Sequence, residues 1–81
     1  MRAETAAAPL KNWRSSRRWS LARAAKHFRV HPVTYWRWET YRVVPHGRQL
    51  RRVARALHQP VAAVENDFAA KVRGQEATAG A

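Results

Sequence analysis

Apolar residues recur along this chain at spacings of three and four, the repeat of helices with one inward face. No alternating stretch is long enough for a strand. Pro9 suits the first position of a helix, because the N–H it lacks is one that a helix start leaves unpaired anyway. The spacing then predicts a first helix over 9–17, with Leu10 and Trp13 inward. Ser20 is a good N-cap for a second helix over 21–28, whose Leu21, Ala24, Ala25 and Phe28 share a face. A break at Arg29, Val30 and His31 precedes Pro32, which opens a third helix over 32–40 with Tyr35 and Trp38 inward. Pro45 and Gly47 punctuate the chain before Leu50, Val53, Ala54 and Leu57 mark a fourth helix. Pro60 opens a fifth, striped by Val61, Val64, Phe68 and Val72. The fold class expected is all-α, a bundle of five short helices over residues 9–72. Residues 1–8 and 73–81 are small, polar and aperiodic, and are expected to be a flexible N-terminal arm and a flexible C-terminal tail.

Composition sets how firmly such a bundle can be packed. Hydrophobic residues make up 46% of the 81, but sixteen of them are Ala, which leaves twenty-one larger ones for a single small core. The absence of Cys excludes disulfides, thiolate-bound zinc and a thiol nucleophile, so the fold rests on burial. No segment approaches the roughly 18 to 20 apolar residues of a membrane-spanning helix, so a cytoplasmic protein with no membrane partner is expected.

Charge brings in function. The net charge is +11, and thirteen Lys or Arg but only one acid, Glu39, fall between Leu10 and His58. A field of that sign and size prefers polyanions, which makes nucleic acid the leading partner. His27, His31, His46 and His58 are not placed to share a metal, and no catalytic Ser-His-acid set, paired acids or Gly-rich phosphate loop is present. No enzyme activity, cofactor or small-molecule ligand is expected.

The second and third helices, joined by a tight turn, form the arrangement that places a recognition helix in the DNA major groove. Three stretches carry a more specific likeness: Leu10 to Arg14, Ser20 to His31, and Thr34 to Glu39. Pro45, Leu50, Val53, Ala54, Ala56 and Leu57 extend it. Over 10–64 the chain resembles the Cro/C1-type helix-turn-helix domains of phage repressors and small bacterial regulators, lambda-repressor-like bundles that bind inverted-repeat operators as homodimers. The resemblance implies a partly buried ion pair between Arg14 and Glu39. It also implies a left-handed turn at Arg29, where relatives prefer Gly; a side chain there costs about 1 kcal/mol. Leu21 stands in place of a phosphate-reaching Gln, and Thr40-Tyr41 in place of the Asn-Gly that usually ends the recognition helix.

With Tyr35 and Trp38 inward, the outward face of the third helix holds His31, Pro32, Val33, Trp36, Arg37 and Thr40 as base-contacting candidates. Arg37 leads, since a guanidinium bonds both acceptors of a guanine edge, while Pro32 and Val33 suit a thymine methyl. Arg17, Arg18, Arg23, Arg42 and Arg48 are the expected phosphate contacts. Arg51, Arg52 and Arg55 are placed on the solvent side of the fourth helix. The function expected is a double-stranded DNA-binding transcriptional regulator of phage or mobile-element repressor type. The alternative is an antitoxin-like or anti-host module that grips a protein with the same helix, with Trp36 as its anchor.

Overall fold

The computed structural model describes residues 9–80, with side chains through 74. Five helices follow in order: α1 (Pro9–Ser16), α2 (Leu21–Phe28), α3 (Pro32–Glu39), α4 (Arg48–Ala56) and α5 (Val61–Gly80). Among the described residues there is no strand, and the architecture is an all-α bundle built on a helix-turn-helix. The expected N-terminal arm, 1–8, lies outside the described residues.

Local signals set the helix starts. The Ser20 side chain accepts the Arg23 N–H at 3.1 Å and caps α2. Pro32 opens α3, and His31 Nδ1 accepts the Val33 N–H at 3.1 Å, so an imidazole does the work usually given to a hydroxyl or carboxylate. Gly47 enters α4 at φ 62 and ψ −132, a conformation that a side chain resists.

The helix ends share one device. Arg18, Arg29, Tyr41 and His58 all hold φ between 56 and 60, the left-handed region that glycine adopts most cheaply. The residue after each bonds back to the carbonyl five positions earlier: Trp19 to Arg14, Val30 to Ala25, Arg42 to Arg37 and Gln59 to Ala54, at 2.8–3.3 Å. Four helices therefore stop on the same closure without glycine, each at a cost of about 1 kcal/mol.

α2 packs on α3, α4 on α5, and α1 and α4 brace the pair. Ala24 and Ala25 are fully buried, and their small side chains let neighbouring helices approach closely. Leu10, Trp13, Phe28, Tyr35 and Trp38 fill the core around α3, while Leu50, Val53, Val64 and Phe68 fill it between α4 and α5. Tyr41, left-handed and 9% exposed, sits between the two groups with its ring 5.3 Å from Phe68.

Two features depart from the sequence expectation. α5 is twenty residues long and continues to Gly80, through residues read as a tail; Arg73 to Ala79 contains no proline, and the apolar stripe simply ends at Val72. Arg52 is not on the solvent side of α4: it is half-buried, and its Nη1 donates to the Phe28 carbonyl at 3.5 Å. That carbonyl lies at the end of α2, where no intrahelical donor reaches it, so the guanidinium fills a gap that periodicity does not see.

Candidate nucleic-acid interface

α3 is held from behind. Tyr35 is fully buried and Trp38 is 3% exposed, with their rings 6.2 Å apart in an edge contact and each within 5.9 Å of Phe28. At its last turn, Glu39 takes two bonds from Arg14 of α1: Nε to Oε2 at 2.6 Å and Nη2 to Oε1 at 3.1 Å. The third arm of the same guanidinium donates to the Trp19 carbonyl at 3.0 Å. With side chains only 18% and 6% exposed, this fork ties the end of α1, the turn after it and the end of α3 into one rigid unit.

The electrostatics of that unit follow from burial and charge. The Glu39 carboxylate bonded to Arg14 pushes the guanidinium pKa further up, against the downward pull of desolvation. Burial, with the Glu39 carboxylate adding to it, pushes the Tyr35 phenol well above its ordinary value. The Tyr41 phenol moves the same way, first by burial and then by the charge of Asp67.

The other side of α3 faces outward. His31, Pro32, Val33, Trp36 and Arg37 are exposed, Val33 by 45% and Trp36 by 40%. Thr40 is half-buried and donates its hydroxyl to the Trp36 carbonyl at 2.9 Å. Arg42, just beyond the helix, lies with its guanidinium 5.2 Å from the centre of the Trp36 ring, so the exposed indole and this cation form one joint surface.

The remaining rim arginines divide by their surroundings. Arg18 and Arg48 are exposed, at the end of α1 and the start of α4. Arg23 sits 5.0 Å over the Trp19 ring, while Arg17 lies over both Trp13 (4.7 Å) and Trp19 (5.8 Å). Periodicity along the chain assigns Trp19 and His27 no role. The structure stacks both against Trp13, at 5.5 and 5.3 Å, and His27 on Trp19 at 5.6 Å. Nothing in the spacing of Trp13 and Trp19 announces this, because the chain turns at Arg18 between them.

The arrangement is a rigid helix whose buried side is locked by rings and a forked ion pair and whose outer side offers one guanidinium, one indole and a small apolar step. Its chemistry is recognition: donors and apolar surface for a groove, with cations on the rim. No helix among the described residues is long and apolar enough to cross a membrane. No curated protein and no solved structure matches the chain. The family model described as "Helix-turn-helix domain" matches residues 6–66, spanning α1, the α2–turn–α3 unit and α4, and on that match the chain belongs to the helix-turn-helix domain family.

Proposed function

We propose that this protein is a sequence-specific, double-stranded DNA-binding transcriptional regulator of the Cro/C1 type, a phage or mobile-element repressor that reads the major groove with α3. The observation that carries the reading is the two-sidedness of α3: Tyr35, Trp38 and Glu39 are fixed in the bundle while Val33, Trp36 and Arg37 are left outside. Arg37 takes a guanine edge, Pro32 and Val33 press on a thymine methyl, and His31, Trp36 and Thr40 border the same bases. Arg17, Arg18, Arg23, Arg42 and Arg48 hold phosphates, so affinity falls with salt at a log–log slope of about −0.9 per phosphate neutralised. Two copies bind an inverted repeat, with half-sites one helical turn apart.

Selection from a random duplex pool at moderate salt, followed by sequencing, tests this. Enrichment of a palindrome with a G at fixed half-site positions supports it, and an Arg37→Ala protein should then lose about 1–3 kcal/mol of discrimination at that G. Equal binding of the operator by wild type and by a protein carrying Arg37→Ala and Trp36→Ala sinks it. The exposure of Val33 and Trp36 also favours a second reading, a protein-gripping module of antitoxin or anti-host type with Trp36 as anchor. A stoichiometric protein complex that survives high salt, with no enriched DNA site, would decide for that reading.

A further inference from the structure

We propose that the concave pocket between the C-terminal ends of α1, α2 and α4 is a binding site for a small ligand carrying a di- or triphosphate group. The pocket has a volume of about 480 Å³, and Arg17, Arg29, Arg52 and Arg55, with His27 and His58, line it. None of its lining residues belongs to α3, so the site is separate from the outer face of that helix, and Arg17 alone is shared with the phosphate contacts proposed for the rim.

Charge is the first argument. The lining contains four guanidiniums and no carboxylate. The ion pairs found among the described residues, Arg14 with Glu39 and Lys71 with Asp67, both lie elsewhere. Like charges gathered around one concavity repel; the helix-end carbonyls that Arg17 and Arg52 bond offset part of that repulsion, and an anion inside relieves the rest. The planar fork of an arginine matches the oxygens of a phosphate, and several forks around one hollow suit a group bearing more than one negative charge.

Backbone conformation points to the same place. Of the four left-handed residues with side chains, two, Arg29 (φ 60) and His58 (φ 56), line this pocket. Each sets a basic side chain at the pocket through the same left-handed closure that ends all four helices.

Two of the arginines are also held in place before any ligand arrives. Arg17 lies 4.7 Å over the Trp13 ring and donates to the Trp13 carbonyl at 3.5 Å, and Arg52 donates to the Phe28 carbonyl at 3.5 Å. Side chains already ordered lose less freedom on binding.

Shape narrows the ligand. The volume falls within the roughly 300–1,000 Å³ of small-ligand sites. Trp13 is buried beneath Arg17, so the aromatic surface left beside the cations is that of the exposed His27 ring, 5.3 Å from Trp13, against which a nucleotide base can lie next to its phosphates. The site is made by the helix ends of the bundle itself.

Titration calorimetry of the full chain at physiological ionic strength, with sodium pyrophosphate and with ATP, tests the proposal. The variants are Arg55→Gln and Arg29→Gly, and the control is Arg51→Gln, which removes an exposed charge from α4 outside the pocket. Pyrophosphate should bind one to one, weaken about tenfold in Arg55→Gln and Arg29→Gly, and change less than about twofold in Arg51→Gln. Arg29→Gly should at the same time unfold at a higher temperature, so that its weakened binding is not lost folding. Tighter binding of ATP than of pyrophosphate assigns the site to a nucleotide, and equal binding assigns it to a free polyphosphate. The proposal is overturned by the absence of saturable binding, or by Arg51→Gln weakening it as much as Arg55→Gln. It is overturned too if Arg55→Gln weakens a short duplex as much as it weakens pyrophosphate, which would give the pocket to a nucleic-acid backbone.

Discussion

Where α1, α2 and α3 meet, Trp13, Phe28, Tyr35 and Trp38 pack ring on ring, and Arg14 reaches across to Glu39. Where α4 meets α5, Leu50, Val53, Val64 and Phe68 close the core, and the ion pair, Lys71 with Asp67 at 3.0 Å, runs along one helix. Edge contacts between rings and a forked ion pair are directional and fix the angle of one helix on another. Apolar burial by itself is not directional and supplies cohesion in proportion to area. The helix proposed to read DNA therefore sits in the directional half, and the half that holds it is built from burial. Tyr41 joins the two, with its ring against Phe68 and its backbone ending α3.

The largest test of that division is Phe68→Ala. Emptying a fully buried aromatic site should cost about 4 kcal/mol. That is near the whole stability of so small a domain, about 5 kcal/mol, so urea unfolding followed by circular dichroism should lose most of its native baseline. Next comes Glu39→Ala, which strands the Arg14 guanidinium and should cost about 3 kcal/mol. It should also blur DNA discrimination beyond what the lost stability explains, because α3 loses its tether; a protein equally destabilised in the α4–α5 half but just as blurred would break the comparison.

Alkali probes the directional half with a smaller step. Up to about pH 9 both folded and unfolded chains keep their phenol protons, and the tyrosines leave stability unchanged. Above that, the unfolded chain releases protons that Tyr35 and Tyr41 retain, since both are raised in the fold. Stability should then fall by about 1.4 kcal/mol per pH unit for each tyrosine, read as urea midpoints, with Tyr35→Phe removing half the slope. The smallest effect is Asp67→Asn. Its pair is 25% and 42% exposed, and the change should cost less than about 0.5 kcal/mol and vanish in high salt. A cost there equal to that at Glu39 would erase the distinction between the halves.

Much of this architecture is legible in the chain because its signals are local. Ser20 and Pro32 mark helix starts within one turn, and the inward placing of Ala24, Ala25, Phe28, Tyr35 and Trp38 follows from spacing alone. The outward placing of His31, Pro32, Val33, Trp36 and Arg37 follows from the same arithmetic, whereas Thr40, expected outward with them, is half-buried with its hydroxyl on the Trp36 carbonyl. What escapes is whatever depends on two helix ends meeting. Arg52 bonds the Phe28 carbonyl across helices, and the Trp13, Trp19 and His27 stack forms only because the chain reverses at Arg18. The basic pocket is the sum of such meetings: its lining comes from three helix ends that are adjacent only after folding. The run of α5 to Gly80 escapes for the opposite reason, since a helix whose apolar stripe has ended leaves no period to read.

The cap at the start of α3 settles which kind of hydrogen bond His31 offers outward. Because Nδ1 spends its lone pair on the Val33 N–H, a neutral ring there must carry its proton on Nε2. One tautomer is thus selected by the backbone, and the exposed edge of the imidazole becomes a donor with no acceptor to give. Against a groove it would seek a purine N7, a guanine O6 or a phosphate oxygen and reject the amino group of cytosine or adenine, so a residue that looks ambivalent in the sequence has a single polarity in the fold.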